Sequence, residues 1–445
     1  MVKYEYKNTG IEWLSNIPKH WKATSIKKEF RVIPSNVDKK SADDETEVKL
    51  CNYVDVYYND FLDSSIDYMI ATANDGEIQK FKLNVNDVLI TKDSEDPFDI
   101  AVPAVITETQ DNFICGYHLS MIRSINQKID GKFLFWAIKD EAIASQLYRE
   151  ATGVTRWAIA SRHIKNSTIP FPPLPEQRAI ADYLDKACKR IDSIIDIKQK
   201  QLERIEGYLI TKITDWVTKG LSLSETETTN CLWIPEIKKG WKIKSLKRML
   251  AQKLKYGANE SAENENYDEP RYIRITDFGD DGNLKDDTFK SLPLEIAEPY
   301  MLQEGDVLFA RSGATVGKTF IFRNYNGLAC YAGYLIKANC DRSQLLPEYL
   351  YYFTKSKAYQ EWKNIIFTQA TIQNIGADKY QYLLLPQPTI DEQKEIIKAI
   401  KSLWGKTENL KNKLNAQINT LQTYRKSLIH ECVTGKKQIW EGEII

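Results

Sequence analysis

The sequence predicts an α+β protein. Two globular α/β domains are separated by two long helices that pair as an antiparallel coiled coil, and the whole forms a pseudo-two-fold internal repeat. Three observations predict this. Glu176 to Thr218 contains no proline and only one glycine, Gly207. A second stretch, from Asp391-Glu392-Gln393 to Val433-Thr434-Gly435, has the same design. The two correspond at a shift of 216, which aligns Glu176-Gln177 with Glu392-Gln393 and Val217-Thr218 with Val433-Thr434. The predicted parts are a first domain over residues 1–172, a helix over 173–220, a second domain over 221–387, and a second helix with a tail over 388–445.

The helices follow from their spacing. Leu184, Ala187, Ile191 and Ile194, then Ile195, Leu202, Leu209 and Trp216, recur at heptad-like intervals, with charged residues between them. Leu403, Leu410, Leu414, Leu421 and Leu428 do the same in the second stretch. Such narrow seams need a partner helix. At 1.5 Å per residue each helix spans about 60 Å, too long for an ordinary globular helix. Thr389 and Glu392 have capping-box spacing.

The domains repeat in order. Trp21 is followed by Lys22-Ala23-Thr24-Ser25-Ile26-Lys27, and Trp241 by Lys242-Ile243-Lys244-Ser245-Leu246-Lys247. Val48 to Val54 alternates as a strand, and Tyr272 to Thr276 is its counterpart. Asn86-Asp87 and Gly305-Asp306 each precede a short apolar run, which reads as a turn and then a buried strand. Leu119 to Ile125 and Gly333 to Lys337 are further strands, and Phe133 to Tyr148 and Pro347 to about Ile366 are aromatic-rich helices. Pro170, Pro172 and Pro173 close the first domain, and Pro386 and Pro388 the second. Proline neither continues a ladder nor sits mid-helix, so these residues mark the joint with each long helix.

Bulk composition narrows the function. Lys plus Arg and Asp plus Glu both number 61. The zero balance excludes a chain that is a cationic coat for DNA as a whole, but leaves room for local basic patches. The seven cysteines are scattered without C-x-x-C spacing and read as reduced thiols. No run reaches transmembrane length and the start lacks an apolar leader, so a soluble cytoplasmic protein is expected.

Catalytic patterns are missing. Gly313-Ala314-Thr315-Val316-Gly317-Lys318-Thr319 is one residue short of a phosphate-binding P-loop. The four histidines are isolated, and no nucleophile elbow or dinucleotide fingerprint is present. No catalytic, cofactor or metal residue is therefore assigned. The positive signals are two polar loops at matching places. One is Gly153-Val154-Thr155-Arg156-Trp157, with Arg162 and Lys165 nearby, and the other is Thr368 to Asn374. Their Thr, Arg, Gln and Asn side chains are the donors and acceptors that read base edges. Arg311-Ser312 and Lys318-Thr319 add a basic, hydroxyl-bearing loop suited to phosphates or bases.

Together the proline exits with Pro175-Glu176-Gln177 and Asp391-Glu392-Gln393, the Gly305-Asp306-Val307-Leu308 run, the Arg311-Ser312-Gly313 to Lys318 loop and the two long helices resemble the specificity subunit of type I restriction–modification systems. The likeness covers essentially the whole chain. It implies two target recognition domains, each reading one half of a split, asymmetric double-stranded DNA site. The helices would set the gap and dock two methyltransferase subunits, with restriction and translocase subunits joining them. It also implies that S-adenosylmethionine, ATP and Mg²⁺ belong to those partners. The DNA-contacting residues assigned on this basis are Lys92, Ser94, Thr155, Arg156, Trp157 and Arg162 in the first domain. In the second they are Arg274, Arg311, Ser312, Lys318, Thr319, Gln369, Thr371 and Gln373. The first domain departs from the pattern: it has Lys92-Asp93-Ser94-Glu95-Asp96 where the second has Arg311-Ser312-Gly313. Alternatives are the specificity subunit of a type IIB-like restriction enzyme, and a scaffold that binds only protein.

Overall fold

A computed structural model describes residues 4–39, 42–126, 129–222, 225–279, 284–313, 315–368 and 374–439. The chain divides into two compact units, Met1–Lys198 with Ala416–Ile445, and Gln199–Asn415. The long helices run over Leu174–Lys219 and Ile390–Val433, so each contributes a part to both units.

Their pairing is antiparallel. In the first unit Lys437 Nζ donates to the Tyr183 hydroxyl at 2.9 Å, and Arg425 meets Asp192 at 2.9 Å. Lys198 Nζ donates to Gln417 at 2.7 Å, so one number falls as the other rises. In the second unit Leu209, Ile213 and Val217 share a core with Ile396, Ile397 and Ile400. The buried stripe is broader than a two-helix seam. Ile180, Ala181, Leu184, Cys188 and Ile191 are all buried, because these turns face both the partner helix and the globular part. The predicted seam residues Ile194 and Leu410 are instead 36% and 50% exposed.

Entry and exit strands pair with each other and close each globular part. Lys22–Ser25 runs antiparallel to Thr168–Phe171 with Ala23 opposite Pro170. Lys242–Ser245 runs antiparallel to Leu384–Gln387 with Ile243 opposite Pro386. Just beyond, a glutamine latches each long helix. Gln177 Oε1 accepts the Asp130 N–H at 2.9 Å, and Nε2 donates to the Pro172 carbonyl at 2.8 Å. Gln393 accepts the Leu346 N–H at 2.8 Å and donates to the Pro388 carbonyl at 3.1 Å. Both side chains are fully buried, and these two partners of each are related by the same shift of 216. The neighbouring carboxylates differ. Glu176 accepts from the Tyr4 hydroxyl and meets His20 at 2.9 Å, whereas Glu392 meets Lys238 at 2.7 Å and Trp241 Nε1 at 3.2 Å.

Each globular part is built on an antiparallel sheet whose central strand follows the predicted turn. Asn86 and Gly305 hold left-handed φ of 74° and 96°. The next residue, Asp87 or Asp306, accepts the N–H of Asn84 (2.7 Å) or Gln303 (2.8 Å). The strands that follow, Val88–Thr91 and Val307–Ala310, are wholly buried. In the first unit the sheet order is Phe30–Pro34, Leu119–Ser124, Val88–Thr91, Pro103–Ile106, Phe61–Leu62, with only the last pair parallel. In the second it is Lys255–Tyr256, Leu335–Ala338, Val307–Ala310, Thr319–Ile321, all antiparallel.

Two expectations are corrected. The strand expected over Val48 to Val54 ends at Cys51, and Tyr53–Tyr58 is helical because Asn52 and Asp55 form a capping box there. Its counterpart stops at Ile273, where Arg274 and Asp277 cap a short 3₁₀ turn. Each aromatic helix is two helices. The first breaks into Gly131–Lys139 and Glu141–Tyr148 at Asp140, whose side chain caps the Ile143 N–H. The second breaks into Pro347–Phe353 and Lys357–Thr368 near Ser356, whose hydroxyl accepts the Tyr359 N–H.

Candidate nucleic-acid interface

The central strand of each sheet delivers its next residue, Lys92 or Arg311, to the same kind of junction. The Lys92 N–H bonds the His118 carbonyl at 3.0 Å, and its carbonyl accepts the Ile159 N–H at 2.9 Å. The Arg311 N–H bonds the Tyr334 carbonyl at 3.0 Å, and its carbonyl accepts the Ile375 N–H at 2.8 Å. His118 and Tyr334, like Ile159 and Ile375, are 216 residues apart. The repeat thus brings the residues just after the two predicted polar loops, Ile159 and Ile375, to equivalent places, and what surrounds the junctions differs.

In the first unit the chain beyond Lys92 continues as a strand, Asp93–Ser94. It pairs with Trp157–Ala158, which pairs with Thr152–Gly153. The result is a three-stranded ribbon with Val154, Thr155 and Arg156 at its tip. Gly153 is required there, since a Cβ would lie 2.0 Å from the Arg156 carbonyl oxygen. Val154 is 93% exposed, while Trp157 is half-buried and anchors the ribbon on the core.

Beneath the tip, Asp93 is 8% exposed. Its Oδ1 accepts from His118 Nδ1 at 2.6 Å and from Arg156 Nε at 2.9 Å and Nη2 at 2.8 Å. Ser94 is buried with its hydroxyl 3.2 Å from the Tyr53 hydroxyl. Tyr53 stacks on Tyr57, which donates to Asp99 at 3.0 Å. Lys92 is turned inward: its ammonium donates to the Ser35 carbonyl at 2.5 Å and lies 4.6 Å from the Tyr117 ring centre. Burial lowers its pKa, opposed by the charge of Asp93. Lys92, Ser94, Arg156 and Trp157 are therefore brought together, with Thr155 beside them at the tip. Arg162 sits on the following helix, Ser161–Asn166, with Nε 3.0 Å from His163 Nε2.

In the second unit Arg311 lays its guanidinium over the Tyr256 ring, 5.1 Å from its centre. Ser312 bridges to Asn374, which places the end of the second polar loop beside it. Gln369, Thr371 and Gln373 lie outside the described residues. Gly313 and Gly317 both hold φ of 77°. The turn they shape leads into a strand, Thr319–Ile321, and not into a helix whose N-terminus would cradle phosphate. Lys318 is exposed, but Thr319 points inward, buried, with its hydroxyl 2.5 Å from that of Thr354. Arg274 braces a loop: Nη2 is 2.7 Å from Asp277 and 2.9 Å from the Thr288 carbonyl.

Sequence reasoning missed two lysines here. Lys355 donates to the Thr319 carbonyl at 3.2 Å, and the Lys363 stem crosses the face of Gly317. Burial, and then the charges of Lys318 and Lys363, push the Lys355 ammonium down to about 8. It also missed Asp93 and His118 in the first unit. No local motif marks either pair, because the fold alone brings them to the loops.

The comparisons with known proteins agree with this duplicated frame. A family model described as the type I restriction modification DNA specificity domain matches residues 21–207 and again 238–420. The type I restriction enzyme EcoBI specificity subunit of Escherichia coli is 22% identical over 338 residues, covering 71% of this chain and 68% of its own. A chain from a solved structure on complex assembly and conformational transition of the type I R-M system superposes with a TM-score of 0.72. It is 17% identical and covers 95% of this chain and 99% of its own. The HsdS subunit from Thermoanaerobacter tengcongensis gives a TM-score of 0.52 at 16% identity, over 95% of this chain and 98% of its own. No helix among the described residues is long and apolar enough to cross a membrane. With both of its halves matched by that model, the chain belongs to the type I restriction–modification specificity subunit family.

Proposed function

We propose that this chain is the DNA-recognition subunit of a type I restriction–modification complex, and that each unit reads one half of a split, asymmetric site. The observation that carries this reading is the repeated junction. Lys92 and Arg311 occupy the same backbone setting, yet one meets a carboxylate-bearing ribbon and the other a glycine turn over an aromatic ring. One frame with two different reading surfaces suits two different half-sites. The paired helices set the unread gap and dock two methyltransferase subunits, which restriction and translocase subunits join. The chain itself catalyses nothing; S-adenosylmethionine, ATP and Mg²⁺ act in the partners. Half-sites on one face of the duplex lie roughly 10 bp apart between centres.

The test is a methylation map from a host that co-expresses this chain with its modification subunit. A split motif with a fixed gap is expected. Lengthening both long helices is expected to change the gap and leave the half-sites alone. A continuous or palindromic motif would overturn independent reading by two units.

A further inference from the structure

The ribbon tip of the first unit holds an arginine in an unusual state. Arg156 keeps its side chain 51% exposed, yet its guanidinium is gripped from below by a buried carboxylate. Asp93 takes one edge of the fork, Nε and Nη2, at 2.9 and 2.8 Å. The His118 ring lies against the same group, with Nδ1 3.1 Å from Nη2. A guanidinium is planar; the contacts to Asp93 and His118 fall on Nε and Nη2, and the end edge is the one that carries Nη1 beside Nη2. Two adjacent strands of the ribbon, Thr152–Gly153 and Trp157–Ala158, with Arg156 in the turn between them, form the two-stranded kind of element that a major groove admits.

Resting on the DNA-reading function above, we propose that Arg156 reads a guanine in the first unit's half-site through that end edge, and that Asp93 and His118 are its positioning residues. Guanine alone presents two acceptors side by side, O6 and N7, matching two parallel N–H donors. The surroundings favour a base over a phosphate. The recess beside Arg156 is bordered by Glu95, Asp96 and Asp99, Asp93 grips the guanidinium, and Lys92 spends its charge on a backbone carbonyl. A phosphate there meets net negative charge, whereas a neutral base edge does not. The acids that set the first unit apart from the second thus acquire a role. Asp93 holds one arginine in place, and the neighbouring acids keep it from acting as a general phosphate anchor.

The experiment uses the assembled methyltransferase complex and its split motif. Arg156→Ala is expected to relax one G·C position, in one half-site only. Duplexes carrying 7-deazaguanine at that position lose the N7 acceptor. Wild type is expected to bind them about 10-fold or more weakly than the guanine duplex, and Arg156→Ala to show no further loss. Asp93→Asn is expected to reduce discrimination at the same position by about 3–10-fold and to leave the other half-site untouched. Where Arg156→Ala abolishes methylation, the 7-deazaguanine scan of the wild-type complex decides, and insensitivity at every guanine of both half-sites overturns the proposal. An unchanged motif in an active Arg156→Ala complex overturns it too, and leaves the DNA-reading function standing. So does an equal loss of affinity for all sequences with a shallower salt dependence, the mark of a phosphate contact. A wild-type complex without a split motif removes the function itself and this inference with it.

Discussion

Gln177 and Gln393 do one job with the same atoms, whereas Lys92 and Arg311, at equally matched junctions, do different ones. Each glutamine sits buried and satisfies the first N–H of a helix cap and a proline carbonyl. An amide is the one side chain that accepts and donates at the required spacing, and a buried polar group without its partner costs about 1–3 kcal/mol. No other residue type fits. Lys92 and Arg311 are matched only through their backbones, so their side chains and the loops around them are free to diverge. The interior constrains both halves alike, and the surfaces answer to whatever they touch.

That contrast can be broken or sharpened by paired substitutions. Gln177→Ala and Gln393→Ala are each expected to destabilise the chain by about 2–4 kcal/mol, since two buried backbone groups lose their partners. Urea midpoints of the two variants check this, and a large effect in one half only would end the equivalence. Lys139 and Lys355 share a position by the same shift, but Lys139 pairs with Asp60 at 2.6 Å, while the charges acting on Lys355 are those of Lys318 and Lys363. Lys355→Met is expected to stabilise the fold at pH 7 by about 1–2 kcal/mol, and Lys139→Met to weaken it slightly. The sign follows from the lowered value of about 8 against an ordinary 10.5. Between these pH values the unfolded chain binds the extra proton, so wild-type stability gains as pH rises through the window, and Lys355→Met loses that gain.

The smallest effect concerns Glu392. Burial opposes its charge, but hydrogen bonds from Lys238, the Thr389 backbone and Trp241 outweigh it and hold the carboxyl down at about 2. Its stabilisation is complete above about 4.5 and fades as pH falls towards 2. With the group one-third exposed, about 1 kcal/mol is expected. Acid titration of Glu392→Gln checks this: the variant is expected to be weaker at pH 7 and to show less loss across that window.

Much of the frame was legible because the chain states it twice. The shift of 216 located both long helices, both glutamines and both loops before any coordinate was needed. The aromatic stretches read as single helices because Asp140 and Ser356 pass for solvent-facing helix residues along the chain, whereas both are buried caps, and apolar spacing does not register a bend. Thr319 read as exposed because its hydroxyl suits DNA. The strand Thr319–Ile321 is buried along its whole length, so Thr319 turns inward while Lys318, just before it, stays exposed. Asp93 and His118 were not legible at all. They lie 25 residues apart and meet only because their strands feed one side of the sheet. Seen along the chain, Asp93 was merely an acid out of place.

The pairing of entry with exit strands carries a genetic consequence. Ala23 lies opposite Pro170, and Ile243 opposite Pro386, so the long segment between each pair begins and ends on hydrogen-bonded neighbours about 4.8 Å apart. Such a segment is an insertion cassette. A recombination event that exchanges it between two alleles in one step keeps both helices, their glutamines and the proline carbonyls, and asks of the incoming segment only a backbone N–H where Asp130 or Leu346 stands. A lineage can therefore acquire a new half of its recognition vocabulary without having to re-evolve the machine that uses it.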